Sequence, residues 1–202
     1  GPFFVHYPLT LCHFPYCPTP ADPQFKSWNP KGNPSDPSYF PSMVKYMDAQ
    51  IGLITDKLTS LGLSENTIVI FLSDNGGPKQ DNASNNGVLR GGKGSLFEGG
   101  IRVPFAMQWP QKIKAKTIYN KPVISLDIFG SIVANVQKSH ATKNELDGVN
   151  LIPFLNGSQK GAPHEYLFWR QFDQKNSAVL HQSGLKQFVL KDSAVFIYNL
   201  AN

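Results

Sequence analysis

Nine of the chain's sixteen prolines fall between Pro8 and Pro41. Proline fixes φ, removes a backbone donor and restricts the residue before it. No regular element is expected to survive that density, so the stretch reads as one long ordered loop. Structureless loops of that length inside a domain are usually functional. Just before it, Phe3-Phe4-Val5-His6-Tyr7 reads as a short buried strand, aromatic and β-branched and stopped by Pro8.

Beyond the loop the periodicity changes. Val44, Met47, Ile51, Ile54 and Leu58 recur at three- and four-residue steps, which predicts a helix over Met43–Leu61 stopped by Gly62. Asn66-Thr67 leads into Ile68–Leu72, read as a fully buried strand of the parallel-sheet type. A helix feeding a strand through a short loop is the grammar of an α/β fold. Ser73–Gly100 is polar and glycine-rich, Val103–Trp109 is another strand closed by Pro110, and Asp127–Val136 reads as a helix with a break around Ser139–Asn144. After Pro163 come four short strand-like runs, Tyr166–Gln171, Ala178–Gln182, Gln187–Lys191 and Val195–Leu200. They predict a small antiparallel sheet appended to the α/β part.

Aromatic residues are 12% of the chain and charged residues 16%, which excludes a disordered polyelectrolyte. No apolar run approaches the roughly 18 residues of a spanning helix, and no basic stretch with a cleavage site opens the chain, so no span and no export signal are read. Two cysteines, Cys12 and Cys17, make neither a disulfide scaffold nor a zinc site; whether they bridge each other is left open. The net charge of +5, without a Lys/Arg run, points to anionic small ligands rather than nucleic acid.

Three places offer chemistry. Ser73-Asp74-Asn75-Gly76-Gly77 follows a strand directly, and ligands of open α/β sheets collect beyond strand carboxyl ends. Asp74 and Asn75 there offer hard oxygens for Ca²⁺ or Mg²⁺, although Asp-Asn-Gly is also ordinary turn chemistry. In Arg90-Gly91-Gly92-Lys93-Gly94-Ser95, the glycines would let backbone approach a ligand, with the Lys93 ammonium for an anion. The bland alternative is a flexible loop with a solvated lysine, and the spacing is not that of a P-loop. His13, in Leu11-Cys12-His13-Phe14-Pro15, is a candidate general acid or anion ligand, or else structural. His6, His140, His164 and His181 show no partner pattern.

The order of these features resembles the sulfatase family of the alkaline-phosphatase-like superfamily. The residues carrying the resemblance are Phe3-Phe4-Val5, His13-Phe14-Pro15, Met43–Asp48, Asn66–Gly77, Arg90–Gly94, Glu98–Pro104 and Leu146–Val149. The wording of His6–Thr10 and Cys17–Pro20 is closest to bacterial sulfatases acting on sulfated glycans. The resemblance implies an α/β fold: part of an alkaline-phosphatase-like sheet with flanking helices over residues 1–160, then the small antiparallel sheet over 161–202. It implies that Asp74 and Asn75 ligate a divalent cation, usually calcium. Lys93 would contact the sulfate, and His13 would contact it or protonate the leaving oxygen. It further implies an extracytoplasmic protein whose partner is a sulfated carbohydrate or another sulfate ester.

The departure is equally specific. The family's nucleophile is a formylglycine made in C-x-P-S-R or a close variant. Cys12 is followed by His13-Phe14-Pro15 and Cys17 by Pro18-Thr19-Pro20, so neither fits. The N-terminal Asp-Asp metal pair is also missing. The expectation is therefore the C-terminal portion of a sulfatase, with the formylglycine in a missing N-terminal half and no turnover by this chain alone. The alternative is a non-catalytic protein that holds a cation or a sulfated glycan. A phosphodiesterase or phosphomutase of the superfamily would need further Asp/His metal ligands.

Overall fold

In the computed structural model, which describes residues 1–79, 83–136 and 145–201, the proline-rich loop is ordered by a few side chains. Tyr16, 1% exposed, lies nearly perpendicular to the rings of Phe14 and Phe40, at 6.1 and 5.8 Å between ring centroids. Its N–H donates to Ser35 Oγ (2.7 Å) and its carbonyl accepts from Asp36 N (3.1 Å). Asp22 accepts from the Thr19 amide and hydroxyl, both at 2.7 Å, and from the Ser42 hydroxyl. The prolines do not exclude all regular structure, contrary to expectation: single 3₁₀ turns form at Pro23–Ser27 and Pro37–Tyr39. Each has a proline in its first positions, where a missing N–H costs nothing.

The strand expected at Phe3–Tyr7 does not form; the segment lies outside every described ladder, with Phe4 77% and Val5 72% exposed. β-propensity becomes a strand only where a partner supplies the hydrogen bonds.

Helix α1 runs Phe40–Ser60, with Pro41 in its first turn. It ends as expected at Gly62 (φ +68°), whose N–H donates to Thr59 O while Leu63 N reaches back to Leu58 O. Its apolar stripe is only partly covered: Met43 is buried, Met47, Ile51 and Leu58 are half-buried, and Ile54 is 42% exposed.

Strand β1 (Val69–Leu72) is neither parallel nor fully buried. It pairs antiparallel with β2 (Phe105–Gln108), Val69 opposite Gln108 and Leu72 opposite Phe105. An apolar run states that a strand wants cover; pairing direction is set by the chain between the strands. That connection carries a single-turn helix, α2 (Glu98–Ile101). Trp109, Ile113 and Ile152 form a core under this pair, with Ile68, Met107 and Leu155 against it.

Helix α3 (Leu126–Val136) starts on a buried carboxylate. Asp127 Oδ2 accepts from Ile124 N (2.9 Å), and Oδ1 accepts from Val149 N (2.9 Å) and His164 Nε2 (2.8 Å). One side chain thus ties the segment before α3 to the segment before the one-turn helix α4 (Ile152–Leu155). His164, which shows no partner in the sequence, therefore has a structural one. The break expected around Ser139–Asn144 lies outside the described residues, as does His140.

The C-terminal sheet forms as expected, with ends shifted by one or two residues. Strands β3 (Tyr166–Gln171), β4 (Asn176–His181), β5 (Leu185–Leu190) and β6 (Ala194–Asn199) make an antiparallel meander in chain order. Its inner face lays Trp169, Ala178, Phe188 and Tyr198 against Leu96, Phe97 and Ile101. Burying Phe188 there contributes about 2 kcal/mol. In that interface the Lys186 ammonium donates to Leu96 O (2.7 Å) and to Glu98 Oε1 (2.6 Å).

Removing one member of a buried pair strands the other charge. Lys186→Met is expected to cost about 3 kcal/mol in denaturant unfolding, and adding Glu98→Gln should recover part of that loss; equal losses in both proteins would refute the coupling. At Asp22 the hydroxyl of Ser42 first, then the amide and hydroxyl of Thr19, hold the carboxyl below its usual range. A depressed folded pKa gives stabilisation that is complete above the unfolded value and lost as pH falls through the folded one. Acid titration of stability should show this loss below the ordinary aspartate range, and Asp22→Asn should remove it.

Candidate functional site

Three backbone segments meet at the carboxyl end of β1. Ser73 N donates to Pro104 O (3.1 Å), Gly76 N to Gly100 O (3.0 Å), Lys93 N to Gly77 O (3.1 Å) and Gly99 N to Arg90 O (2.7 Å). The approach is so close that a Cβ on Gly76 would overlap the Gly99 carbonyl oxygen, and one on Gly100 would overlap those of Ser95 and Gly92. Gly92, which precedes Lys93, also makes a close backbone approach: its Cβ would stand 2.5 Å from the Gly77 carbonyl oxygen.

A residue that sequence reasoning missed fastens this junction. Asn86 Oδ1 accepts from Gly77 N (3.0 Å), and Asn86 Nδ2 donates to Gly77 O (2.9 Å) and Gly91 O (3.2 Å). It sits in a polar run, where nothing in the sequence separates it from its neighbours Asn82 and Asn85.

The junction presents the expected residues. Asp74 Oδ1 accepts from Asn75 N (3.0 Å), and Asn75 Nδ2 donates to Gly76 O (3.0 Å). These are turn hydrogen bonds, and they engage neither Asp74 Oδ2 nor Asn75 Oδ1. Those two hard oxygens fit a calcium or magnesium ion chemically, although such ions take six or more ligands. Among the described residues no cluster of three or more His, Cys, Asp or Glu completes such a site.

Lys93 and His13, 80 residues apart in sequence, are in contact, with Nζ 2.9 Å from His13 Nε2. His13 Nδ1 lies 2.7 Å from the Phe14 carbonyl, which only accepts, so the ring proton is on Nδ1. With the proton on Nδ1, Nε2 presents its lone pair to the Lys93 ammonium. The ion pairs among the described residues are His164–Asp127 and Lys186–Glu98, so among these residues Lys93 has no carboxylate within ion-pair distance. A cation beside an imidazole offers donors to an anion.

A cavity of ≈ 230 Å³ opens here, lined by Pro78, Lys79, Gly91, Gly92, Lys93 and Ser95. A larger hollow of ≈ 530 Å³ lies between the β3–β4 turn and the end of β5, and holds none of the residues singled out from the sequence. Chemistry rather than volume selects the smaller one. Cys12 and Cys17 are both free thiols, and burial pushes the Cys12 thiol above its usual range.

Two outcomes are expected from this geometry. The ¹⁵N shifts of His13 in anion-free protein should report a protonated Nδ1 and an unprotonated Nε2; the reverse pattern would contradict the assignment. Gly76→Ala should cost about 3 kcal/mol through overpacking, measured by thermal unfolding, with a perturbed Lys93 amide resonance.

Comparison with known proteins follows the same lines. A family model described as Sulfatase matches residues 1–137. The chain is 33% identical over 155 residues to steryl-sulfatase of Mus musculus, covering 73% of this chain and 24% of the mouse protein. It is 32% identical over 189 residues to arylsulfatase D of Homo sapiens, covering 90% of this chain and 30% of that protein. The crystal structure of Ps i-CgsB in complex with k-i-k-neocarrahexaose matches with a TM-score of 0.72 at 27% identity, over 86% of this chain and 38% of that one. The chain thus spans about a quarter to a third of the length of these curated relatives.

Proposed function

The chain belongs to the sulfatase family, and from that premise we propose that it carries the sulfate-recognising part and half of the cation site of a sulfuric ester hydrolase. The single observation that carries the reading is the contact of Lys93 Nζ with His13 Nε2 at 2.9 Å. The Lys93 backbone is in turn bonded to Gly77, two residues beyond Asn75. These contacts support treating the four residues named from sequence as one site.

In this reading Asp74 and Asn75 hold a calcium or magnesium ion through carboxylate and amide oxygens. Such an ion, when bound, supplies Lewis-acid polarisation of a sulfate oxygen. Lys93 gives its ammonium to another sulfate oxygen and offsets charge that grows as the S–O bond breaks. An arriving sulfate competes with His13 for that ammonium. His13 Nε2, released from Lys93, takes up a proton and delivers it to the leaving oxygen, while the Nδ1–H bond to the Phe14 carbonyl keeps the ring aimed.

Neither Cys12 nor Cys17 begins a C-x-P-S-R run, so the formylglycine nucleophile of this reading comes from residues outside these 202. Residues of the same protein would also cover Phe3, Phe4, Val5 and the open side of α1. Residues 1–160 form part of the catalytic α/β domain and 161–202 a subdomain. The substrate class is a sulfated carbohydrate, supported by the oligosaccharide held in the structurally similar Ps i-CgsB. The setting is extracytoplasmic, and no helix among the described residues is long and apolar enough to cross a membrane.

The missing nucleophile run favours one second reading, a sulfatase-like protein that binds a cation or sulfated glycan without cleaving it. Turnover of an aryl sulfate by the intact protein separates the two. If it is an enzyme, Lys93→Ala is expected to lower kcat by about 10²–10³, and Asp74→Ala to abolish turnover together with calcium binding seen by calorimetry. Full activity in either variant would overturn the assignment of that residue.

A further inference from the structure

Lys93 sits on a backbone with little stiffness of its own. Gly92 precedes it and Gly94 follows at φ +81°, a conformation open to glycine at no steric cost, and nothing packs within 4 Å of where a Gly94 Cβ would stand. The Lys93 amide is held by Gly77 O, which fixes the peptide before the lysine. Ser95 N closes the turn on Gly92 O (3.0 Å), and the peptide after Gly94 is held from the C-terminal sheet. Gln171, the last residue of β3, donates from Nε2 to the Gly94 carbonyl at 3.0 Å.

The orientation of that amide is determined by a further contact. Asn176 Nδ2 donates to Gln171 Oε1 at 3.0 Å. A flipped Gln171 amide would face donor to donor there and acceptor to acceptor at Gly94. Asn176 is itself buried, and its Oδ1 accepts from Lys191 N at 3.1 Å. A chain of polar contacts therefore runs from the sheet through Asn176 and Gln171 to the residue after Lys93.

We propose that Gln171 is a positioning residue: through the Gly94 carbonyl it sets where the Lys93 ammonium stands relative to His13 Nε2 and to a bound sulfate. The proposal rests on the reading of Lys93 as the sulfate contact. It gives the small sheet a role in chemistry that packing alone does not. Lys186 secures the neighbouring Leu96 and Glu98, but its charge is buried and its loss would unfold the interface. Gln171 is linked to the loop by one hydrogen bond and can be changed without stranding a charge.

The test uses the intact protein and three variants, Gln171→Leu, Gln171→Arg with Asn176→Asp, and Lys93→Ala. Gln171→Leu is expected to lower kcat for an aryl sulfate about tenfold, with KM and Tm nearly unchanged, because a misplaced catalytic group loses rate before binding. Gln171→Arg keeps an N–H donor at Gly94 and, made together with Asn176→Asp so that the buried partner accepts from the guanidinium instead of opposing it, should restore most of the rate. Unchanged kcat in Gln171→Leu, or a loss in the double variant as large as in Gln171→Leu, overturns the proposal. A readout independent of turnover is the His13 Nε2 ¹⁵N resonance in anion-free protein. It should move in Gln171→Leu, as its bond to Lys93 weakens, and return in the double variant; an unmoved resonance also overturns the proposal. If Lys93→Ala leaves turnover intact, the reading of the site fails, and the resonance alone decides whether Gln171 positions Lys93.

Discussion

Gly76 and Gly100 have no side chain at the place where the turn after β1, the Lys93 loop and the one-turn helix α2 touch through their main chains. A methyl at either position would overlap a carbonyl oxygen, so the hydrogen bonds joining the three segments exist only while both positions stay bare. The carboxylate of Asp74, the amide of Asn75 and the ammonium of Lys93 are displayed from that junction. The segments that carry them are joined by backbone packing, with Asn86 as the side-chain staple across the junction. Polar main-chain groups brought this close are stable only when paired.

Two hubs of different chemistry hold the molecule, one beside the junction and one apart from it. On the C-terminal side, Phe97 lies against Phe188 at 4.6 Å between ring centroids and Arg90 sits over Phe97 at 4.2 Å, while buried Lys186 meets Glu98 and the Leu96 carbonyl. Apolar burial supplies the free energy there, and the ion pair gives the register, since a buried ammonium tolerates few alternatives. Away from the site, Asp127 gathers the start of α3, Val149 and His164 with one buried carboxylate. That hub organises the chain after α3 and touches none of the four candidate residues.

Lys93 and His13 lie against each other, with Nζ 2.9 Å from Nε2. In the proposed reading an arriving anion would replace the imidazole at the ammonium, which would couple its arrival to the freeing of Nε2. The geometry is set by the proline-rich loop, which carries His13, and by the glycine junction, which carries Lys93. Both must be ordered before the pair can form, and this is where anchors such as Tyr16 and Asp22 reach function.

Several features were legible in the sequence because they depend on local chemistry. The apolar period of α1 and its glycine stop, the α3 helix, the four strands of the small sheet and the candidate residues His13, Asp74, Asn75 and Lys93 all appear as residue types at short spacing, and their order carries the family resemblance. The tertiary structure alone decided the rest. Strand direction in β1–β2, the failure of Phe3–Tyr7 to pair, and the use of Gly92 for backbone packing depend on which segments meet across long separations. So do the Asn86 staple, the Asp127–His164 contact and the Gln171 link, because an amide or carboxylate in a polar run acquires a role only from the partner opposite it. Sequence fixes what each residue can donate, accept or bury; only the folded chain, through the cost of leaving a polar group unpaired or a carbonyl overlapped, decides which partner it gets.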